Sequence, residues 1–186
     1  LTPVVAVARG EHGRTMRASG LRYESPAGER TVELPVFASV TEVDFTAGDV
    51  VVLAVKSQDT GNALTDLRAA GVRDEPIVCM QNGVDNAERL SQVLDRTTVP
   101  AAVYVAVAMP APGHVIHNGR GEMVIGPSPG SQAAADAFAQ AGIPVRITAE
   151  VMHALWAKLA ANCTYNALSA LTQMPYGKLV RQTGIE

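Results

Sequence analysis

The chain has 186 residues, 47% of them hydrophobic, with 15 basic and 18 acidic side chains and a net charge of −3. That balance suits a buried core and excludes a disordered polyelectrolyte. The charges are scattered without runs, so neither a nucleic-acid patch nor a polybasic membrane segment is written here, and a small-molecule partner is the default. No apolar run approaches the ~20 residues of a membrane span, and no charged n-region with an apolar h-region opens the chain. Cys79 and Cys163 are the two cysteines, far apart and without histidines at metal-ligand spacing. They read as reduced core thiols of a cytoplasmic protein with no metal site. Leu1 opens directly into an apolar run, as a piece of something longer would.

In chain order, residues 3–8 form a Val/Ala run that ends at Arg9 and Gly10, as a buried parallel strand does on meeting a loop. Residues 11–19 read as a short helix closed by Gly20. Residues 21–24 and 31–37 flank a turn cluster, Ser25 to Gly28, and predict a hairpin-like pair of strands. The clearest strand is 49–55, uninterrupted in hydrophobicity after Asp49 and ending at Lys56, a pattern that implies cover on both faces. Residues 60–70 are helical in pattern with Gly71 as the stop. The next buried strand, 76–80, ends at Gln81-Asn82-Gly83, and 87–94 is a short helix. Further strands are expected at 101–108, 115–117, 123–125 and 145–147, with a small helix over 132–142. Over 150–171 apolar residues keep helical spacing without Gly or Pro, so a helical segment begins where the sheet ends.

Strand, helix and strand in repetition indicate a doubly wound α/β sheet, and such sheets bind ligands beyond the carboxyl ends of their strands. Arg9, Lys56 and Gln81-Asn82-Gly83 occupy three of those ends. On the terminal helix, Lys158, Asn162 and Asn166 recur at four-residue spacing and share one face. A cation and two amides among Ala, Leu, Val and Cys form either a wall against which something polar docks or an exposed stripe with the lysine snorkelling to water. Lys56 taken alone reads equally as a surface cation, and Asn82 before Gly83 as turn chemistry. Trp156 is expected to anchor helix to sheet. His12 reads as solvated and His153 as a packing or capping residue. His114 and His117 stand too close together on one strand to suggest a catalytic base with an orienting carboxylate.

Five segments in order carry a resemblance: VARG at 7–10, DVVVLAVKSQ at 49–58, QNGVDNAERL at 81–90, GHVIH at 113–117 with GEMVIG at 121–126, and WAKLAANCTYNALSALT at 156–172. Together they resemble the ketopantoate reductase (2-dehydropantoate 2-reductase) family over essentially the whole chain. The resemblance implies an α/β fold with a Rossmann-type, mostly parallel sheet over 1–148, incomplete at its start, followed at 149–186 by the beginning of an all-helical substrate domain. It implies NADPH-dependent reduction of 2-dehydropantoate to pantoate in pantothenate biosynthesis. Lys158 would be the proton donor, Asn162 and Asn166 the substrate ligands, Arg9 the contact to the cofactor's 2′-phosphate, and Lys56 and Asn82 the border of its nicotinamide half. A second copy of the chain is a candidate partner.

These roles make chemical sense. Hydride delivered to a ketone carbon leaves negative charge on oxygen, which a positioned ammonium stabilises and protonates. Amides further along the helix can bind and orient the substrate's polar groups. An arginine near the end of the second Rossmann strand accommodates the phosphate of NADP where an acid would select NAD.

The chain also departs from the family. No G-x-G-x-x-G occurs in it, so the turn that seats a pyrophosphate on a helix N-terminus is expected before Leu1. The family's downstream serine and glutamate find no counterpart in these residues, and 174–178 lacks the family's asparagine. Those absences predict weak dinucleotide binding and negligible turnover by the 186 residues alone. They leave open a related dehydrogenase of another small 2-oxo or hydroxy acid, and a catalytically silent dinucleotide-binding module.

Overall fold

The computed structural model describes residues 3–119 and 121–183. The chain begins with β1 (Ala6–Val7), α1 (Gly10–Ser19), β2 (Leu21–Ser25), β3 (Gly28–Val32) and β4 (Val36–Phe37). It continues through β5 (Val51–Leu53), α2 (Thr60–Ala69), β6 (Ile77–Cys79), α3 (Asn86–Leu94) and β7 (Val99–Tyr104). Then come β8 (Val107–Ala111), β9 (His114–His117), β10 (Glu122–Ile125), α4 (Ser131–Gln140) and β11 (Val145–Ile147). Two helices close the described chain, α5 (Val151–Thr172) and α6 (Tyr176–Thr183).

The central sheet has the order β11-β10-β7-β6-β5. Its pairings are parallel except for β10 against β7, which run antiparallel from Glu122↔Tyr104 to Ile125↔Ala101. Side chains alternate across a strand, and the core divides accordingly. Val78, Val99, Ala101, Met123 and Ile125 face one side and pack on Ala134 of α4. Ile77 and Cys79 face the other with Leu53, Leu64 and Leu67 of α2 and Leu90 of α3. On that second face Ala102 and Val124 meet Val151 and Leu155 of α5. Helices thus cover both faces, which is the physical meaning of the unbroken apolar strands: this is a Rossmann-like α/β fold with mostly parallel pairing. Among the described residues no helix is long and apolar enough to cross a membrane.

Three expectations need correction. Residues 3–8 do not form a buried strand: β1 pairs only with β4, in a separate two-stranded sheet, and Val4, Val5 and Val7 are exposed. Hydrophobicity signals a need for cover, and the cover here is α1 on one side, with Met16 and Val36 buried. The expected strand 31–37 is two strands. β3 ends at Val32, and after Pro35, which has no N–H for a ladder, β4 joins β1. The expected strand 101–108 is likewise divided. β7 stays in the central sheet, while β8 turns away to a four-stranded sheet ordered β3-β2-β9-β8.

Among the side chains, Cys79 lies where expected, and Cys163, Trp156, His12 and His153 do not. Cys79 is buried and its thiol pKa is pushed up to about 11, chiefly by loss of solvent, so it is an inert core thiol. Cys163 is exposed rather than in the core. Trp156 is 57% exposed and anchors nothing to the sheet. His12, expected in solvent, accepts a 2.9 Å hydrogen bond at Nδ1 from the backbone N–H of Gly113 and ties α1 to the β8–β9 turn. His153 is exposed. His114 Nε2 lies 2.9 Å from Glu24, and His117 Nδ1 2.9 Å from the Tyr23 hydroxyl.

Candidate active-site cleft

The carboxyl end of β6 is the best-fixed part of the rim. Gln81 is buried, and its amide N–H₂ donates to the carbonyl of Val55 and to Thr60 Oγ1, both at 2.8 Å. One side chain thereby stitches the end of β6 to the chain leaving β5 and to the first turn of α2. Asn82 follows, and its carbonyl accepts from Asn86 Nδ2 at 2.9 Å and from Ser57 Oγ at 3.5 Å. Gly83 then turns with φ +124°, where a Cβ would stand 2.8 Å from Asn86 Nδ2. Glycine alone satisfies both the backbone angle and the space. The outcome is an Asn82 backbone held from two directions with its side chain projecting from the rim.

That side chain meets α5. Asn82 Oδ1 accepts a 2.9 Å hydrogen bond from Lys158 Nζ. The lysine reaches it because Val151 and Leu155, buried two turns and one turn earlier, press the helix onto Ala102 and Val124. Lys158 is half-buried, and loss of solvent moves its pKa below the ordinary lysine value. Among the described residues no carboxylate forms an ion pair with it. Its Nζ also lies 5.9 Å from the centroid of the Tyr104 ring. Asn82, Lys158 and Asn162 line an open cleft of about 340 Å³ together with the chain from Val103 to Ala106.

The structure therefore brings three of the six sequence-expected residues together: Asn82, Lys158 and Asn162. Asn166 lies one turn further along α5, exposed and outside the lining of the cleft, and its Oδ1 accepts a hydrogen bond from the Tyr176 hydroxyl. Arg9 is exposed just after β1, with its guanidinium 3.9 Å from Asp59. Lys56 is exposed after β5, ahead of a 3₁₀ turn over Ser57–Asp59. Neither lines the cleft. Tyr104 and Gln81 were missed by sequence reasoning. A tyrosine ending an apolar strand carries no local signal of the helix it will face, and Gln81 was visible only as part of a strand end.

Such a site, a half-buried lysine and two amides at the carboxyl rim of a doubly wound sheet, defines a Rossmann-like α/β protein with a polar cleft against its following helix. Comparison with known proteins narrows this. The family described as Ketopantoate reductase PanE/ApbA matches residues 2–130, and its C-terminal counterpart matches 150–186. The chain belongs to the ketopantoate reductase family. It is 34% identical over 180 residues to the 2-dehydropantoate 2-reductase of Halobacterium salinarum, covering 92% of this chain and 58% of that protein. A crystal structure of a PanE/ApbA family ketopantoate reductase from Ralstonia eutropha JMP134 superposes with a TM-score of 0.85 at 42% identity, over 97% of this chain and 60% of that one. A D-mandelate dehydrogenase solved with NADH and anilino(oxo)acetate shares the fold, at a TM-score of 0.79 and 19% identity over 91% of this chain and 57% of that one. The chain thus spans a little under two thirds of the length of these relatives.

Proposed function

We propose that this chain supplies the cofactor-binding sheet and the first substrate-facing helix of a cytoplasmic, NADPH-dependent oxidoreductase that reduces 2-dehydropantoate to pantoate. The carrying observation is the Lys158–Asn82 hydrogen bond, which joins the helix stripe to the strand-end rim across one cleft. In this reading residues 1–148 bind NADP and 149–186 begin the helical substrate domain.

The residues present suit a phosphorylated dinucleotide. Arg9 is the N-cap residue of α1, contributes no side-chain bond to that helix, and is held by Asp59 only at 3.9 Å. Its guanidinium and the free N–H groups of the first helical turn favour an anion such as a 2′-phosphate. Lys56 and Asn82 follow the ends of β5 and β6, beside the expected nicotinamide half. Bound NADPH supplies hydride to the carbonyl carbon.

Lys158 has three N–H donors, one of which is given to Asn82, so a ketone oxygen in the cleft can receive another. As charge develops on that oxygen the ammonium stabilises it and then delivers a proton from Nζ. The burial that lowers its pKa makes that proton easier to release. Asn162, one turn on, can fix the substrate's carboxylate while Asn82 keeps the lysine directed across the cleft. Asn166 lies outside the lining of the cleft with its Oδ1 bonded by Tyr176, and it would reach a substrate oxygen only through its Nδ2 donors.

That engagement, together with the missing asparagine at 174–178, favours a second reading: the same chemistry on another small 2-oxo acid. Without a glycine-rich turn among its 186 residues, the chain alone is expected to hold the pyrophosphate weakly, so kinetics belong to the full-length protein. Loss of NADPH absorbance is followed with 2-dehydropantoate and with a series of other 2-oxo acids. Lys158→Ala is expected to lose about 10²–10⁴-fold in kcat. NADPH binding without consumption for any 2-oxo acid would mark a silent dinucleotide module and overturn the proposal.

A further inference from the structure

We infer that Tyr104 is a positioning residue that grips Lys158 at two points, its ring lying beneath the ammonium and its hydroxyl bonded to the helix carbonyl that also serves the lysine's own backbone. The proposal deepens the reading of Lys158 as proton donor and rests on it. The geometry it invokes is testable separately.

The placement follows from strand alternation. Ala102 faces α5 and packs with Val151 and Leu155. Tyr104 is two residues further along β7 and so points to the same side, where it meets the next turn of the helix, the turn of Lys158. Its ring centroid is 5.9 Å from Nζ, within reach of a cation–π contact. Its hydroxyl donates to the carbonyl of Ala154 at 3.0 Å. In an α-helix the carbonyl of residue 154 accepts the N–H of residue 158, and α5 spans both. A carbonyl has two lone pairs and can serve both donors.

The consequence is mechanical. A lysine head rides on a flexible four-carbon stem, and Asn82 offers it a single acceptor. A ring pinned to the same helical turn adds a lateral wall that moves with the lysine, and it adds attraction without a carboxylate that would hold the proton tightly. Phenylalanine could provide the wall but could not pin it, because the pin is the O–H.

The test uses proton–carbon spectra of lysine Cε, with the Lys158 signal assigned by its loss in Lys158→Met. The Lys158 methylene protons should be displaced upfield by the ring. Tyr104→Phe should retain part of that displacement. Tyr104→Leu, which keeps apolar cover but removes the π face, should abolish it and lower the lysine's titration midpoint further. In the full-length enzyme we expect kcat to fall about threefold in Tyr104→Phe and about tenfold or more in Tyr104→Leu, with KM little changed. In the Lys158→Ala background either substitution should cost less in kcat than it does with the lysine present, since Tyr104 acts through that lysine.

An undisplaced Lys158 methylene in the unsubstituted protein overturns the proposal, as does a Tyr104→Leu variant with unchanged displacement and midpoint. Should the leucine variant fail to fold, Tyr104→Phe decides: an unaltered spectrum and kcat dispose of the hydroxyl pin. Absence of reductase activity on every 2-oxo acid would instead defeat the assigned function, and the spectra would still judge the Tyr104 contact.

Discussion

The two halves of α5 carry the same pattern and meet different fates. In the first half, Val151 and Leu155 are buried against the sheet, Ala154 is bonded by Tyr104, and Lys158 reaches Asn82. In the second half, Cys163, Asn166 and Leu171 are exposed, and the contacts of the helix pass to α6. Lys158, Asn162 and Asn166 stand at identical intervals, yet the first two line a cleft and the third bonds Tyr176. Helical period decides which groups share a face; the sheet beneath decides which of them share a site.

The contrast breaks first at Leu155. It is 7% exposed and presses the lysine-bearing turn onto the sheet, so Leu155→Ala should cost about 2–5 kcal/mol of unfolding free energy. Leu171, on the same helix but 82% exposed, should cost no more than about 0.5 kcal/mol as alanine. Denaturant midpoints at constant m-value measure both. Equal losses would mean that α5 is held uniformly along its length.

A smaller effect sharpens the comparison at the amides. A hydrogen bond to a charged group is worth about 1.5–3 kcal/mol, so Asn162→Ala should raise KM for the 2-oxo acid about tenfold or more. Asn166→Ala should change it less than about threefold, since that residue lies outside the lining of the cleft. Steady-state kinetics of the full-length enzyme separate the two. A larger effect at Asn166 would mean that the substrate reaches one turn further along α5 than the cleft lining does.

How much of this could be read in the residues follows the same division between period and packing. The strands ending at Lys56 and Gln81 were legible because apolar runs bounded by polar groups need cover on both faces, and α2, α3 and α4 provide it. The lysine stripe was legible because spacing fixes a helix face. Arg9 and Lys56 could be set after strand ends, but that reasoning could not say that β1 lies outside the central sheet or that neither residue reaches the cleft lining. The exposure of Val4 and Val7 could not be read, since an apolar strand is buried only by partners that local sequence does not name. Trp156 and Cys163 failed for a related cause: residue type sets the preference for burial, while the helix faces turned to the sheet are those of Val151 and Leu155. Tyr104 was invisible because its partners lie 50 and 54 positions away, on a helix whose docking angle comes from the core.

The least conspicuous difference between the halves of α5 is electrostatic, and pH exposes it. Burial lowers the pKa of Lys158 in the folded chain, whereas in the unfolded chain it stays near the ordinary ~10.4. Between those two values the unfolded state binds more protons than the folded one, so unfolding free energy rises with pH across that window. Below the window both states are charged, and the folded protein bears the cost of a half-buried ammonium. Above it both are neutral and that cost is gone. Replacing Lys158 with Met should remove this alkaline rise, leaving only what other groups contribute, and chemical denaturation of both proteins at a series of alkaline pH values measures it. With Lys158 as the proposed proton donor, kcat of the full-length enzyme should run the opposite way, falling over the range in which stability rises, because the donor is lost as pH climbs through its folded pKa. Two curves of opposite slope crossing the same interval would tie the desolvated lysine to the reaction; a kcat limb at the ordinary lysine value would detach it.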